Sequence, residues 1–260
     1  MKKTKIAFFD IDGTILKPDH TYDPSVIDAF TALKEAGVHL ALATGRPIHE
    51  IEDLIEELEI DTVIGYNGTL ALHQGEVIFK RPFSKELVAE LIDHYKALDC
   101  EFAMYTHGTS VFSHLKDAAV QQFIDTFQMK LNDEWYEGKE MDVFGATYIK
   151  APQNLADQIQ HEAIRIAPVN VQGLNDCYDI ILHKENKGIA VREVCRHFGY
   201  DVKEAIAFGD GLNDAEMLET VGRGVAMGNA TEALLPYADI QTTRVDEDGI
   251  YQGLKQLNLI

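Results

Sequence analysis

Long apolar runs are absent from this chain of 260 residues. No run of apolar residues approaches the roughly 20 that a helix needs to cross a bilayer. The segment 1–5 leads into a short apolar stretch, which is too brief for the core of a signal peptide. We therefore expect a cytoplasmic protein without a membrane partner.

Cysteine is also scarce, with three residues at Cys100, Cys177 and Cys195. They form neither a C-x-x-C pair nor a zinc-binding spacing, and the histidines contain no H-x-H or H-x-x-x-H pair. We therefore assign no metal to cysteine or histidine, and we expect the cysteines to be reduced and structural.

Positively charged residues are also few: the chain has 23 lysines and arginines against 43 aspartates and glutamates, which gives a net charge of −20. Nucleic-acid binding draws much of its affinity from basic residues that neutralise phosphates, so we exclude DNA and RNA as partners. The same charge repels a small anionic substrate unless a bound cation reverses the local field. This conflict is the first indication of a metal.

What the chain does contain is an alternation of strand and helix patterns. Its 46% hydrophobic and 25% charged residues suffice for a large core. Continuous apolar runs, typical of strands buried on both faces of a parallel sheet, predict strands at 6–9, 39–43, 62–64, 205–208 and 224–227. Helical patterns between them cover 24–36, 47–58, 187–198 and 213–220. The alternation predicts an α/β fold with a doubly wound, mostly parallel sheet.

A different pattern fills residues 83–183 and predicts an inserted α+β domain. Predicted helices cover 84–98, with Ser84 as the cap, 117–127 and 152–167. Predicted strands cover 101–105, 110–113, 146–151, 169–172 and 178–182, with a loop at 132–142. We therefore divide the chain into a core, residues 1–82 plus 184–260, and an insert, residues 83–183.

Acidic residues follow the first predicted strand in the motif Asp10-Ile11-Asp12-Gly13-Thr14. Ligands of open α/β sheets bind beyond the carboxyl ends of the strands, where two carboxylates repel each other unless a cation or protonation relieves the repulsion. A hard cation such as Mg²⁺ prefers oxygen ligands and bridges to phosphate. The alternative is that Asp-Gly forms a turn with Asp12 as a cap.

Two further motifs suit a phosphate group. Thr44, Gly45 and Arg46 follow the second strand, where a hydroxyl and free N–H groups at a helix start can bind phosphate oxygens. Thr44 as a plain helix cap explains the motif equally well. Lys187 begins a helix, where a positive charge is unfavourable unless it has an anionic partner, although a solvated surface lysine is the common case.

Acidic residues follow the fourth predicted strand as well, in the segment Gly209-Asp210-Gly211-Leu212-Asn213-Asp214. Asp210 could complete the ligand set of a metal, whereas a turn with Asn213 or Asp214 as a cap is the alternative. Four polar motifs at one edge of the predicted sheet together favour a single site over four separate turns.

These four motifs, in this order, resemble those of the haloacid-dehalogenase-like (HAD) phosphatases. The insert between the second and third motifs resembles the α/β cap of their type IIB branch, the Cof-type hydrolases. The resemblance covers essentially the whole chain, with secondary marks at Tyr66-Asn67-Gly68, Met227-Gly228-Asn229-Ala230 and Glu247-Asp248-Gly249.

The resemblance implies a Mg²⁺-dependent phosphatase that acts on a small phosphorylated metabolite, such as a sugar phosphate or a phosphorylated cofactor. It implies Asp10 as the nucleophile and Asp12 as the general acid and base. The implied metal ligands and their support are Asp10, Asp12, Asp210 and Asp214. The implied phosphate and substrate contacts are Gly13, Thr44, Gly45, Arg46, Lys187 and Asn213.

Other functions compete with this interpretation. A phosphomutase shares the first motif, a catalytically silent ligand-binding module can use the same fold, and a receiver domain also carries a phosphorylated aspartate. The resemblance further implies that the cap closes over the site and selects the leaving group, with candidate contacts at Arg46, Tyr105, His107, Trp135 and Tyr136. The sequence leaves a homo-oligomer open.

Overall fold

The computed structural model describes residues 3–169, 171 and 173–260. It contains two compact units. The first comprises Met1–Gly45, Leu54–Lys80 and Asn186–Ile260, and the second comprises Arg46–Asp53 and Arg81–Glu185. We keep the division into a core and an insert as a prediction, and these units differ from it mainly by the segment Arg46–Asp53. Within the described residues, no helix is both long enough and apolar enough to cross a membrane.

The regular elements alternate along the chain. The strands are β1 Ile6–Phe9, β2 His39–Ala43, β3 Thr62–Gly65, β4 Leu70–His73, β5 Glu76–Lys80, β6 Glu101–Tyr105, β7 Ser110–Phe112, β8 Asn132–Glu134, β9 Gly145–Ile149, β10 Ile164–Pro168, β11 Tyr178–Leu182, β12 Ala205–Gly209, β13 Arg223–Ala226 and β14 Ile240–Gln241. The helices are α1 Pro24–Glu35, α2 Glu52–Glu57, α3 Lys85–Leu98, α4 Ala118–Phe127, α5 Leu155–Gln158, α6 Lys187–His197, α7 Ala215–Thr220 and α8 Gly249–Gln256.

The first unit is built on an eight-stranded sheet in the order β14-β13-β12-β1-β2-β3-β4-β5. The six strands from β14 to β3 are parallel, and β4 and β5 add an antiparallel extension. Phe8 on one face packs in a cluster with residues of α6 and α7, whereas Phe9 on the other face contacts Phe30 of α1. Burial on both faces explains why the parallel strands are continuously apolar. The predicted doubly wound α/β fold is therefore confirmed.

The second unit contains a six-stranded sheet in the order β10-β11-β9-β6-β7-β8. It is antiparallel except for the parallel pair β7 and β8. One face carries an apolar cluster that includes Leu87 and Leu91 of α3, and the other carries a cluster with Val120 and Phe123 of α4. Ser84 caps α3 as expected, because its hydroxyl accepts a hydrogen bond from Leu87 N at 3.1 Å.

Four secondary-structure predictions are wrong. The predicted helix 152–167 reduces to α5, and the chain then enters β10, where Ile164 pairs with Leu182 of β11. Ile164 is buried and Arg165 next to it is exposed, so pairing within a sheet prevails over helix propensity in this segment. The predicted loop 132–142 begins instead with β8. Of the predicted strand 169–172, Val169 and Val171 lie outside any strand, and Asn170 and Gln172 lie outside the described residues. The predicted helix 47–58 splits into a 3₁₀ turn at Ile48–Glu50 and α2.

Candidate active site

Polar residues of the first unit follow three neighbouring parallel strands at the same edge of the sheet. Asp10 follows β1, Thr44 follows β2 and Asp210 follows β12. β1 pairs in register with both neighbours, because Phe9 lies opposite Leu42 on one side and Phe208 on the other. The parallel register therefore brings the ends of these three strands together, as expected for a ligand site in an open α/β sheet.

Three carboxylates meet at this edge. Asp10, Asp210 and Asp214 each place one oxygen within 4.8 Å of the others. Asp214 ends the turn Leu212–Asp214 before α7 and has no exposed surface, whereas Asp10 is 6% exposed. Asp214 also accepts hydrogen bonds from the backbone N–H groups of Asp210 and Gly211, at 3.0 and 3.1 Å. These bonds fix the turn that presents Asp210.

Lys187 lies within this cluster at the first position of α6. Its Nζ donates hydrogen bonds to Asp10 Oδ1 and Asp214 Oδ1, both at 2.6 Å, and the side chain is fully buried. Asn186 caps the helix, since its side chain accepts from Ile189 N at 2.9 Å. The alternative that Lys187 is a solvated surface charge is therefore wrong.

Three of these side chains, Asp10, Asp210 and Lys187, have shifted pKa values. Burial, and then the charge of Asp214, hold the pKa of Asp10 well above its usual value, although Lys187 opposes the shift. Burial, and then Asp214, raise the pKa of Asp210 to about 7. Burial alone would lower the pKa of Lys187, but Asp10 and Asp214 more than compensate and raise it. Three carboxylates around one ammonium group thus leave a net negative charge that a further cation would stabilise.

The turn after Asp10 is built for close approach to Asp210. Gly13 has a φ of +77°, and a Cβ at this position would lie 2.2 Å from Asp210 Oδ2. Neither the conformation nor the contact leaves room for a side chain. Asp12 in the same turn is exposed. The carboxylate of Asp12 is therefore accessible to solvent, unlike that of Asp10.

Thr44 and Gly45 lie beside these residues in the first unit. Thr44 is buried, and its backbone N–H donates to Ile64 O at 2.9 Å. No side-chain bond caps the 3₁₀ turn at Ile48–Glu50, and Pro47 rather than Thr44 precedes it. The alternative that Thr44 caps a helix starting at Pro47 is therefore wrong. Asn213 is exposed, and its Nδ2 donates to Asn67 Oδ1 at 3.2 Å.

The remaining predicted contacts belong to the second unit. Arg46, Tyr105, His107, Trp135 and Tyr136 all lie there. The hydroxyl of Tyr105 is hydrogen-bonded to that of Thr147 at 2.7 Å, and Tyr136 is 63% exposed. The ring of Trp135 packs edge-on against Tyr95 and Phe102. Packing is the alternative for Trp135, and all five residues stay predicted substrate contacts.

Asn229 contacts this site, although its motif was noted only as a family mark. Its Nδ2 donates to Gly13 O at 2.8 Å and to Asp210 Oδ2 at 3.3 Å, and its Oδ1 accepts from Val245 N at 2.8 Å. The side chain thus connects the turn after β1 to the carboxylate after β12. Asn229 follows β13, so its place after another parallel strand was the signal that could have revealed it.

Comparison with known proteins places this geometry in a family. A family described as haloacid dehalogenase-like hydrolase matches residues 7–254. The chain belongs to the haloacid dehalogenase-like hydrolases. This HAD-like hydrolase is 31% identical over 268 residues to the putative phosphatase YkrA of Bacillus subtilis, with 99% of each chain covered. It is 31% identical over 253 residues to the HMP-PP phosphatase of Klebsiella pneumoniae, with 91% of this chain and 89% of the relative covered.

Solved structures agree with the sequence relatives. The HAD subclass IIB sugar phosphatase BT4131 matches with a TM-score of 0.85 and 28% identity, over 99% of this chain and 100% of its own. The resemblance to type IIB enzymes, with an α/β core and an inserted cap, is thereby confirmed. This HAD-like hydrolase is an enzyme of the phosphoric monoester hydrolase class.

Proposed function

We propose that this HAD-like hydrolase is a Mg²⁺-dependent phosphatase that hydrolyses a small phosphorylated metabolite through an aspartyl-phosphate on Asp10. The observation that carries the proposal is the buried cluster in which Lys187 bridges Asp10 and Asp214 within reach of Asp210. A carboxylate at a strand end, next to an ammonium group and further acidic ligands, suits nucleophilic attack on phosphorus.

The donor set fits Mg²⁺. All the clustered ligands are carboxylate oxygens, which hard cations prefer. The raised pKa values of Asp10 and Asp210 are consistent with a site in which a cation would stabilise the ionised carboxylates. Asp10, Asp210 and the backbone carbonyl of Asp12 would hold the ion, with Asp214 as support. When bound, Mg²⁺ would supply positive charge to the carboxylates and the incoming phosphoryl group, which offsets locally the repulsion that an acidic protein exerts on its substrate.

The chain's own residues divide the reaction into two displacements. An oxygen of Asp10 forms a bond to phosphorus while the ester P–O bond breaks, and Asp12 transfers its proton to the departing oxygen. Water then attacks the phosphorus of the aspartyl-phosphate, Asp12 accepts the proton of that water, and Asp10 and inorganic phosphate are released. One residue can serve as acid and then base because the two steps make opposite demands, and the exposed position of Asp12 suits exchange with substrate and water.

Donors around Asp10 would stabilise the phosphoryl oxygens. The candidates are the hydroxyl of Thr44, the ammonium of Lys187, the amide of Asn213 and the backbone N–H groups near Gly13 and Gly45. Fixed donors aimed at developing charge supply most of the electrostatic stabilisation in phosphoryl transfer. The predicted substrate contacts of the second unit remain Arg46, Tyr105, His107, Trp135 and Tyr136.

The names of the relatives support a small phosphorylated metabolite as the substrate. HMP-PP is the substrate named for the Klebsiella relative, and a sugar phosphate is the class named for BT4131. We propose a sugar phosphate or a phosphorylated cofactor as the substrate class. A panel of such metabolites, ranked by kcat/KM, selects among them.

The direct test is turnover of an aryl phosphate by wild type, Asp10→Asn and the control Asp28→Asn, which changes an exposed carboxylate of α1. We expect Asp28→Asn to match wild type and Asp10→Asn to lose activity. EDTA should abolish turnover and Mg²⁺ should restore it. Equal activity of wild type and Asp10→Asn would contradict the mechanism. Solvent ¹⁸O in the released phosphate distinguishes hydrolysis from a phosphomutase, and absence of any turnover would favour a silent binding module.

A further inference from the structure

The turn Tyr66-Asn67-Gly68, which directly follows β3, has an unfavourable backbone. Its three residues have φ values of 52°, 54° and 102°, all in the left-handed region. Only glycine adopts this region readily, and consecutive non-glycine residues there are rare. The surroundings hold the turn in place: Tyr66 is buried, and the hydroxyl of Thr69 donates to Tyr66 O at 3.3 Å. Strain of this kind is concentrated at functional sites.

The backbone of this turn contacts two of the four motifs. Asn67 N donates to Thr44 O at 3.0 Å, which ties the turn to the residue after β2. A Cβ on Gly68 would lie 2.4 Å from Asn186 O and 3.1 Å from Lys187 N, so the turn also packs against the start of α6. The left-handed conformation therefore places Asn67 between the phosphate-binding candidates Thr44 and Lys187.

The side chain of Asn67 reaches a third motif. Its Oδ1 accepts the hydrogen bond from Asn213 Nδ2 at 3.2 Å. Its amide also covers Gly45, since a Cβ on Gly45 would lie 3.1 Å from Oδ1 and 3.2 Å from Nδ2. One side chain thus spans the segments that follow β2 and β12, and Gly45 has no side chain to push it away.

We propose that Asn67 is a positioning residue of the phosphatase site. Its amide holds Asn213 and the Thr44-Gly45 turn in the spacing that the phosphoryl group requires. The strained backbone orients the amide toward these two segments. Asparagine suits the task because it tolerates the left-handed region better than most residues and carries a donor and an acceptor. The inference rests on the proposed function, since it assigns Asn67 to the same site.

The variant Asn67→Gly distinguishes a role of the Asn67 side chain from a role of the left-handed backbone alone. Asn67→Gly keeps the left-handed backbone without strain and removes only the amide, so the fold should be retained. The matched control is Gln74→Gly in the turn between β4 and β5. Gln74 also has a left-handed φ, of 51°, and its side chain also makes a hydrogen bond, to Asp61 at 3.2 Å. Both variants should melt at or above the wild-type temperature.

We expect Asn67→Gly to lower kcat/KM for an aryl phosphate by about tenfold to a hundredfold, the cost of a misplaced binding group. Most of the loss should fall on kcat, and Gln74→Gly should stay within about twofold of wild type. The dissociation constant for inorganic phosphate, measured by calorimetry in Mg²⁺, should rise in Asn67→Gly alone. An Asn67→Gly enzyme within about twofold of wild type in both measurements would overturn the proposal.

A double-mutant cycle tests whether Asn67 acts through Asn213. If Asn67 acts through Asn213, adding Asn67→Gly to Asn213→Ala should cost no more than about twofold beyond the single variant. Multiplicative losses would refute this coupling. Phosphate affinity is measured without turnover, so it reports on Asn67 even if the wild type hydrolyses nothing, a result that would contradict the proposed function instead.

Discussion

At the scale of the residue, the carboxylates of Asp10 and Asp210 lie in an environment that disfavours their ionised forms. Burial and then the charge of Asp214 raise the pKa of both, and the pKa of Asp210 reaches about 7. An unfolded aspartate titrates near pH 4, so between about pH 4 and 7 the folded protein binds more protons than the unfolded chain. The free energy of unfolding must therefore fall as pH rises through this window.

This linkage is measurable in the metal-free protein. In EDTA, we expect the melting temperature to decline between about pH 5 and 7, and Asp210→Asn to flatten that decline because it removes the titrating group. Mg²⁺ binds the ionised carboxylates, so it should raise the melting temperature by about 3 °C more at pH 8 than at pH 5. The exposed control Asp28→Asn should keep the wild-type slope. A decline equally steep in Asp210→Asn would contradict the assignment.

The environment of Lys187 could be predicted only in part from the sequence. The sequence suggested a phosphate partner for a lysine at a helix start, and the structure shows the side chain fully buried and hydrogen-bonded to two carboxylates. Nothing in the local sequence identified the partners, because Asp10 lies 177 residues away and Asp214 lies 27 residues away. The contacts of Asn67 were beyond reach for the same reason, since only the folded sheet creates them, whereas the place of Asn229 after a parallel strand was a usable signal.

At the scale of the element, continuous apolar runs identified the central strands because those strands are buried on both faces. The same logic missed β5, whose residues are mostly exposed, and the two-residue strand β14. It also failed at residues 152–167, where a four-residue helix gives way to β10. Pairing with β11 decided that segment, and the pairing partner is not visible in the local pattern.

The strained turn after β3 allows a sharp test at this scale. Gly68→Ala adds a Cβ 2.4 Å from Asn186 O at a φ of +102°, whereas Gly75→Ala adds one at a φ of +81° with no atom within 4 Å. Gly75→Ala should therefore cost about 1 kcal/mol of unfolding free energy, from backbone strain alone. Gly68→Ala should cost at least about 2 kcal/mol more, because overlap is added to strain.

Urea unfolding of both variants measures the difference. The two substitutions are chemically identical and both lie in the first unit, so the extra loss in Gly68→Ala reports the contact with the start of α6. Equal losses in the two variants would mean that the turn does not press against Asn186.

At the scale of the whole molecule, the net charge of −20 acts against the proposed chemistry. The protein repels a phosphate ester at long range, and dissolved salt screens that repulsion over about 10 Å at 0.1 M. The acidic surface and the proposed Mg²⁺ thus have opposite effects on the substrate. A local ion can attract what the rest of the molecule repels.

Salt dependence exposes this competition. At saturating Mg²⁺, we expect kcat/KM for an aryl phosphate to rise by up to about twofold as KCl is increased from about 20 to 200 mM, because screening weakens the repulsion. The value of kcat should change little, since the side chains of Asp10, Asp214 and Lys187 are buried. A phosphate ester of lower charge serves as the comparison in the same assay. A steep fall of kcat/KM with salt would contradict the argument.

The position of β1 in the middle of the sheet also has a consequence for synthesis on the ribosome. β1 is made first, but its neighbour β12 begins at Ala205, after every strand of the second unit has been made. Until then one edge of β1 lacks its partner, and Asp10 lacks Lys187, Asp210 and Asp214. Distant pairings of this kind form late because closing the intervening chain costs entropy. The nascent enzyme is therefore inactive until the last third of the chain has emerged, and β1 needs protection from association with other chains while it waits.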